Sequence, residues 1–176
     1  MTGSAHPNTI TAATFDDCSS LAALSIEVWL DTYLRQGVSG FFADYVLGRY
    51  TPRHFLQGLE DPAERLLVSR NRDGIDGYIR VSYNRPTPGE GDSRTEISTL
   101  YVQPRHHGKG TGKQLLKAGL QTCRSNGWDD PWLATNSENS GAIAFYLRNG
   151  FDKAGLTHFR IQDIKYPNEV LQYRGP

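Results

Sequence analysis

Hydrophobic and polar positions change period several times along the chain, and the order of these segments predicts an α/β protein. Apolar residues at helical spacing, or segments closed by glycine, predict helices at residues 16–35, 41–47, 54–59 and 139–148, with another after the glycines at 108–112 that ends near residue 126. Alternating or β-rich runs predict strands at residues 9–14, 66–70, 75–83, 94–102, 132–135, 152–161 and 170–173.

This order of elements predicts how the strands pair. The turn from Asn71 to Gly74 joins two β-rich runs and predicts a hairpin. The helix after residue 112 lies between two strands, so it should cross over between parallel neighbours in a mixed sheet. No repeat or linker divides the chain, so we expect a single domain over residues 1–176, with a polar leader at residues 1–7.

The most informative segment is residues 95–116, where a strand pattern ends in alternating glycines and then enters an amphipathic helix. The glycines are Gly108, Gly110 and Gly112. Glycine lets the backbone come close to a ligand, and the first amides of a helix have no internal acceptor and favour anions. The glycine-rich turn, defined as residues 107–113, is therefore predicted to bind a phosphorylated cofactor.

Two familiar phosphate-binding motifs fit this turn poorly. A Walker P-loop requires Gly at position 107 and Ser or Thr at position 114, where this chain has His107 and Gln114. A dinucleotide-binding turn has the spacing Gly-x-Gly-x-x-Gly and an acidic residue about twenty positions later. Asp129 and Asp130 are near that distance, but they lie in a predicted turn.

The turn resembles the pyrophosphate-binding motif of the GNAT superfamily of acyl-coenzyme A dependent N-acetyltransferases. That motif has Gln or Arg, two residues, Gly, one residue, then Gly or Ala; Gly110 and Gly112 match it, whereas His107 replaces Gln or Arg. A second block, residues 139–151, is similar to the family's later motif, Asn-x-x-Ala-x-x-Phe-Tyr followed by Gly-Phe. Two motifs in the family's order are more specific than one.

The resemblance implies a fold and a co-substrate. It implies the GNAT fold, a mixed, mostly antiparallel twisted sheet of about six to seven strands flanked by about four helices. It also implies acetyl-CoA as co-substrate. The cofactor-binding residues expected from it are Leu100, Tyr101, Val102, His107, Gly108, Lys109, Gly110, Thr111, Gly112, Lys113, Asn139 and Tyr146. Leu100 to Val102 would splay from the parallel neighbour and free backbone groups for the pantetheine arm.

Composition and charge limit the classes of partner and the cellular location that we expect for this protein. The chain has 19 basic and 19 acidic side chains, so no overall cationic field favours nucleic acid. No apolar run is long enough to span a membrane, and no secretory signal precedes Arg35, so a cytoplasmic location is expected. Cys18 and Cys123 have neither the spacing nor the histidine partners of a metal site. No cluster of carboxylate or cysteine residues accompanies His106 and His107 in the sequence. We expect free thiols, no metal, and phosphate contact or solvent exposure for the two histidines.

Two residues are candidates for acid–base chemistry. Transfer of an acyl group to an amine needs a base, because an alkyl ammonium has an ordinary pKa of about 10.4. By resemblance to relatives that use a strand glutamate, Glu96 is the candidate, directly or through water, although it could be an ordinary surface carboxylate. Tyr146 occupies the position of the general acid in many relatives; the competing interpretation is a core aromatic. Asn139 could cap a helix, contact the cofactor, or do both.

The amine substrate that accepts the acetyl group is the part of the function that the sequence specifies least. The first helices and closing strands look like bacterial polyamine acetyltransferases of the PaiA type, and Glu27, Asp31 and Asp44 could attract a polyamine. Trp29 and Tyr33 are expected to pack in the core. The predicted function is acetyl transfer to a primary amine of a small molecule, polyamine or amino-acid-like. The alternatives are a non-catalytic acyl-CoA sensor, an enzyme acting on protein N-termini or lysines, and a nucleotide hydrolase; exposed closing strands also allow a homodimer.

Overall fold

A computed structural model describes residues 8–89 and 91–175, so the predicted leader at residues 1–7 lies outside the described part. The helices are α1 (Cys18–Tyr33), α2 (Gly40–Arg49), α3 (Pro52–Glu60), α4 (Thr111–Ser125) and α5 (Ser140–Leu147). The strands are β1 (Thr9–Ala12), β2 (Glu64–Arg70), β3 (Ile75–Tyr83), β4 (Thr95–Val102), β5 (Trp132–Asn136), β6 (Phe151–Ile161) and β7 (Ile164–Tyr173). Short 3₁₀ turns cover Phe15–Asp17 and Pro104–His106.

The strands form one mixed sheet in the order β1-β2-β3-β4-β5-β7-β6. The pairs β1–β2, β5–β7 and β6–β7 are antiparallel, whereas β4 and β5, the strands on either side of α4 in the chain, are parallel. The predicted fold class and the parallel crossover are therefore confirmed, with five α-helices in the described residues where about four were expected.

The largest error in the predicted boundaries concerns the last strand. It was predicted at residues 170–173, but β7 begins at Ile164. It pairs with β6 along its length, from Ile161 opposite Ile164 to Phe151 opposite Tyr173. Residues 164–169 are mostly polar or half-exposed and show no apolar alternation, so backbone pairing to β6 extends the strand beyond what periodicity indicates.

The chain divides into two compact units. Of the described residues, 8–80 and 99–119 form the first unit, and 81–89, 91–98 and 120–175 form the second. Strands β3 and β4 and helix α4 have residues in both. The expectation of a single domain stays a prediction.

In the first unit, α1 supplies the predicted apolar stripe. Leu21, Leu24 and Val28 are buried and belong to one core cluster with Phe55 and Tyr78. Burial of such side chains contributes about 1.5–3 kcal/mol each, so this stripe anchors α1. Trp29 is also buried, as expected, but the neighbouring Tyr33 is 40% exposed and packs only one side of its ring on Trp29.

In the second unit, an aromatic row connects α5 with the closing strands. The Tyr146 ring lies 5.4 Å from Phe151, and Phe151 lies 5.2 Å from Tyr173, measured between ring centroids. Gly150 turns the chain from α5 into β6 with φ of 88°, and a Cβ there would lie 2.5 Å from the carbonyl oxygen of Gly175. The Gly-Phe of the second sequence motif therefore closes this turn.

Within the described residues, none of the helices is both long enough and apolar enough to cross a membrane.

Candidate active site

The glycine-rich turn has the backbone geometry that an anion requires. After β4 the chain makes the 3₁₀ turn at Pro104–His106, and then Gly108 and Gly110 take φ of 74° and 86°, values that favour glycine. Helix α4 begins immediately afterwards at Thr111. The first hydrogen bond of this helix runs from the Gln114 amide to the Gly110 carbonyl, at 3.0 Å.

The amides of residues 108 to 113 form a run of donors without backbone acceptors. None of them donates in any backbone hydrogen bond outside regular helices and strands in the described residues. Those of Thr111, Gly112 and Lys113 belong to the first turn of α4, where no intrahelical acceptor exists. The positive end of the helix dipole adds to them. The turn can therefore bind a diphosphate through main-chain donors.

His106 and His107 both have internal partners, and His107 is exposed, as one of the two expectations for the histidines held. The Nε2 atom of His107 lies 2.9 Å from the carbonyl oxygen of Val102, and because a carbonyl only accepts, Nε2 is the protonated nitrogen. His106 points its Nδ1 to within 3.9 Å of the Asp76 carboxylate. This contact connects His107 with the end of β4, and the contact of His107 with a phosphate stays a prediction.

Asp76 is a buried anchor for the turn that sequence reasoning missed. Its side chain is fully buried at the start of β3, and its Oδ2 accepts from Asn8 Nδ2 at 2.6 Å and from Asn71 Nδ2 at 3.2 Å. Asn8 also reaches Thr111 Oγ1 at 3.4 Å, and the Asp76 carbonyl accepts from the Gln103 amide at 2.9 Å. The contact with Asn8 spans 68 positions, so no local pattern could have indicated it.

The end of β4 approaches β3 closely because residue 77 is glycine. A Cβ on Gly77 would lie 2.8 Å from the Tyr101 carbonyl oxygen and 3.2 Å from Val102 Cγ2. The Tyr101 hydroxyl lies 3.1 Å from the hydroxyl of Tyr50, and burial raises the pKa of Tyr101 well above its ordinary value. Leu100 and Tyr101 are partly exposed and Val102 is buried.

The three carboxylates that the sequence offered for binding a polyamine do not all lack partners in the structure. Glu27 accepts from Gln103 Nε2 at 2.6 Å and from Arg105 Nη2 at 2.9 Å, so its carboxylate already has two donors. Arg105 makes this contact through one nitrogen, and its side chain is otherwise largely exposed. Asp31 and Asp44 are exposed. The acidic set named from the sequence therefore offers at most two uncommitted carboxylates.

Glu96 lies in the second unit, at the single register position that joins the parallel strands. It stands opposite Trp132, and no other β4–β5 pair occurs in the described residues. The Glu96 side chain is partly buried. The splay predicted for Leu100 to Val102 stays a prediction.

Tyr146 is the buried residue of α5, between the partly buried Phe145 and the 43% exposed Leu147. It packs on Phe151, so it contributes to the core as the competing interpretation held. Its hydroxyl makes no hydrogen bond within the described residues, and burial raises its pKa above the ordinary value of 10.0. The structure thus holds a neutral phenol whose O–H is uncommitted.

Asn139 caps helix α5. Its Oδ1 accepts from the Ala142 amide at 3.1 Å, which confirms the capping role predicted from the sequence. The Nδ2 group makes no hydrogen bond within the described residues, and the side chain is partly exposed. The cap therefore fixes the side chain and leaves its amide donor for a ligand.

A second polar cluster in the first unit was not anticipated. The Nη1 atom of Arg49 lies 2.6 Å from Nε2 and 3.0 Å from Nδ1 of His54, and Nη1 of Arg80 lies 2.9 Å from the same Nε2. Arg80 also pairs with Glu64 at 2.8 Å. Gly58 permits this arrangement, since a Cβ there would lie 3.1 Å from Arg80 Nη2.

The His54 environment predicts a pH effect on stability. Burial, followed by the charges of Arg49 and Arg80, lowers the pKa of His54 from 6.5 to about 4. Between these values the unfolded chain binds the proton more tightly, so stability falls as the pH is lowered from 6.5 to about 4. Because the ring is half-exposed, we expect a contribution of only about 1 kcal/mol.

Urea unfolding of the wild type and His54→Gln at several pH values would measure this effect. The difference in unfolding free energy between the wild type and His54→Gln should change between pH 6.5 and about 4. If the two proteins show the same pH dependence, the lowered pKa of His54 does not affect stability.

The cysteines are free and buried, as expected. Within residues 8–89 and 91–175, no group of three or more His, Cys, Asp or Glu side chains is arranged to hold a metal ion.

Comparisons with known proteins agree with this geometry. Streptothricin acetyltransferase of Streptomyces lavendulae is 34% identical over 115 residues, which cover 65% of this chain and 58% of that protein. N-alpha-acetyltransferase RimI of Mycobacterium tuberculosis is 27% identical over 156 residues, covering 89% and 85%. The crystal structure of PaiA N-acetyltransferase from Thermoplasma acidophilum in complex with coenzyme A superposes with a TM-score of 0.73 at 18% identity, covering 93% and 98%.

A family model described as acetyltransferase (GNAT) family matches residues 26–151, more than half of the chain. The matched segment contains the glycine-rich turn and the second motif, from Asn139 to Phe151. The chain belongs to the GNAT family and is an acetyl-CoA dependent N-acetyltransferase.

Proposed function

We propose that this enzyme transfers the acetyl group of acetyl-CoA to a primary amine of a small molecule, polyamine or amino-acid-like, by direct attack of the amine on the thioester. The observation that carries the proposal is the run of uncommitted amides at residues 108 to 113. A diphosphate is the ligand that such a helix entry favours. The similarity to streptothricin acetyltransferase supports a small-molecule acceptor, whereas the similarity to RimI supports a protein N-terminus as the alternative.

The chain's own groups would divide the binding of acetyl-CoA between them. Main-chain amides of residues 108 to 113 would hold the diphosphate, with Lys109 and Lys113 adding charge from exposed positions. Backbone groups of Leu100 to Val102 would pair with the pantetheine arm and polarise the acetyl carbonyl. Backbone donors aimed at a developing oxyanion are worth several kcal/mol, about 3 for one donor. The Nδ2 group of Asn139 would add one hydrogen bond.

Glu96 would remove the proton from the attacking ammonium. Neutralising an alkyl amine of pKa about 10.4 at neutral pH costs roughly 4–5 kcal/mol, which a positioned carboxylate can offset directly or through a water. Its place opposite Trp132, where β4 pairs with β5, supports this role, because strand pairing fixes the backbone that carries the carboxylate. An ordinary structural carboxylate is the competing interpretation.

Tyr146 would supply a proton to the departing thiolate. Its hydroxyl is protonated at neutral pH because burial raises its pKa, and it has no competing acceptor within the described residues. When the tetrahedral intermediate collapses, the C–S bond breaks and the sulfur takes the phenolic proton. The nitrogen loses two protons in all, one to Glu96 before the attack and one as the amide forms. One of these protons returns to the phenolate by way of solvent, and the other is released to solvent.

A thiol-release screen tests the proposal. Purified enzyme, acetyl-CoA and a panel of polyamines, amino acids, aminoglycosides and peptides should release free thiol with at least one amine. Glu96→Gln should lower kcat/KM about 10²-fold or more and remove the rise in rate with pH. The matched control, Glu60→Gln on the exposed end of α3, should leave both unchanged.

The outcomes separate this proposal from its rivals. Tight acetyl-CoA binding without turnover of any amine would indicate a sensor. Turnover confined to peptides would indicate an enzyme for protein N-termini. Glu96→Gln with the pH profile of the wild type would remove Glu96 from the mechanism.

A further inference from the structure

The cluster of Arg49, His54, Arg80 and Glu64 contains more donors than acceptors. A neutral imidazole has one lone pair and one N–H, yet two guanidinium groups make three contacts shorter than about 3.0 Å with its two nitrogens. At least one of these contacts therefore brings a donor against a donor. Protonation of His54 would make the conflict worse, since its charge would then repel both arginines.

The two arginines differ in how their charge is balanced. Arg80 pairs with Glu64, and both side chains are largely buried. Arg49 is exposed, and the partners of its side chain within the described residues are His54 and the Tyr45 hydroxyl, with no carboxylate among them. Its guanidinium nevertheless does not extend into solvent: it lies 5.8 Å from the centroid of the Tyr50 ring and against His54. The cluster thus holds an uncompensated, positioned positive charge.

Tyr50 connects this charge with the side chain of Tyr101, which lies on the strand end proposed above for the pantetheine arm. Tyr50, under the Arg49 guanidinium, makes its hydroxyl contact of 3.1 Å with Tyr101 at the end of β4. The Tyr101 ring also contacts the buried ring of Tyr78, with the centroids 5.8 Å apart. One of the carboxylates considered for a polycation, Glu27, is already bonded to Gln103 and Arg105.

We propose that Arg49 and His54 form a subsite for the carboxylate of the acceptor, so that the preferred substrates are amino-acid-like amines and not polyamines. The inference rests on the proposed function and makes its acceptor class specific. A carboxylate provides the acceptors that the cluster lacks. Two oxygens with four lone-pair positions can accept from Arg49 and from the imidazole N–H together.

Matched acceptor pairs test the subsite without knowledge of the natural acceptor. L-Lysine and cadaverine differ only in the α-carboxylate, as do L-ornithine and putrescine. In the thiol-release assay the wild type should show a kcat/KM at least about tenfold higher for the carboxylated member of a pair, the usual size of one charge-assisted hydrogen bond. Equal rates, or a preference for the diamines, would overturn the proposal.

Variants of Arg49 assign the preference to this cluster. Arg49→Gln should raise KM for the amino acids about ten- to a hundredfold, leave KM for acetyl-CoA unchanged, and leave the diamines unaffected. Arg49→Lys should recover part of the loss. Arg53→Gln, four positions along on the exposed face of α3, is the matched control and should behave as wild type. An equal loss for both members of a pair would contradict the subsite.

A binding measurement keeps the inference testable if no amine is turned over. Calorimetry with N-acetylglycine, in the presence of coenzyme A, should give binding to the wild type that weakens at least about tenfold in Arg49→Gln. Absence of binding, or equal binding to both proteins, would overturn the subsite. Failure of the proposed function is a different result, namely acetyl-CoA that does not bind or thiol that is not released with any amine.

Discussion

Tyr146→Phe is expected to lower kcat about 10²- to 10⁴-fold while KM for acetyl-CoA changes little, the range for loss of a positioned general acid. The ring is retained, so its packing on Phe151 persists. The hydroxyl makes no hydrogen bond within the described residues, so the free energy of unfolding should change by less than about 1 kcal/mol. Thiol release measures the rate, and urea unfolding measures the stability.

A matched buried tyrosine separates catalysis from packing. Tyr173 is in the same aromatic row, is 6% exposed and also packs on Phe151. Its hydroxyl contacts Arg124 at 3.5 Å, far from ideal hydrogen-bond length. Tyr173→Phe should therefore keep kcat within about twofold of wild type, well inside the spread of neutral substitutions. A large loss in both variants, or in neither, would assign Tyr146 to the core alone.

Gly110→Ala is expected to weaken acetyl-CoA binding about tenfold, seen as a higher Kd by calorimetry and a higher KM with kcat largely kept. There is room for the methyl group, because the nearest atom to an added Cβ is Gln114 Nε2 at 4.0 Å. The cost comes from the backbone. At φ of 86° a side chain costs about 1–2 kcal/mol, so the turn shifts toward conformations in which its amides diverge.

A glycine without that constraint is the control. Gly37 has nothing within 4 Å of an added Cβ and its φ is not positive. Gly37→Ala should leave Kd for acetyl-CoA unchanged and stability unchanged or slightly raised. If Gly110→Ala binds acetyl-CoA as tightly as the wild type, the turn does not hold the diphosphate through its backbone.

Local sequence was sufficient for the elements with a short-range signal. The α1 stripe, the hairpin from Asn71 to Gly74, and the crossover through α4 follow from periodicity and turn residues, because these depend on side chains a few positions apart. In the hairpin, the Asn71 amide donates to the Gly74 carbonyl at 2.9 Å as such a turn requires. The length of β7 did not follow, because its pairing with β6 is not a local property.

The candidate site also contains residues that local sequence predicts and residues whose surroundings it does not predict. Gly108, Gly110, Asn139 and Tyr146 were found because each has a role tied to its own element: a left-handed turn, a helix cap, or a motif position on α5. Their roles in binding and catalysis stay predictions. The polyamine charges were chosen by residue type alone, and the bonds of Glu27 to Gln103 and Arg105 remove one of them.

The sequence by itself determined the family, the glycine-rich turn and the order of strands and helices, because glycine spacing and apolar period act through neighbouring residues. Only the tertiary structure decided that Asp76 anchors the turn, that Gly77 admits the end of β4, and that Arg49 and His54 share one polar cluster. These contacts join distant segments or depend on how side chains orient. Burial then decides which charges are compensated. The spacing of residues along the chain encodes neither the contacts nor the burial.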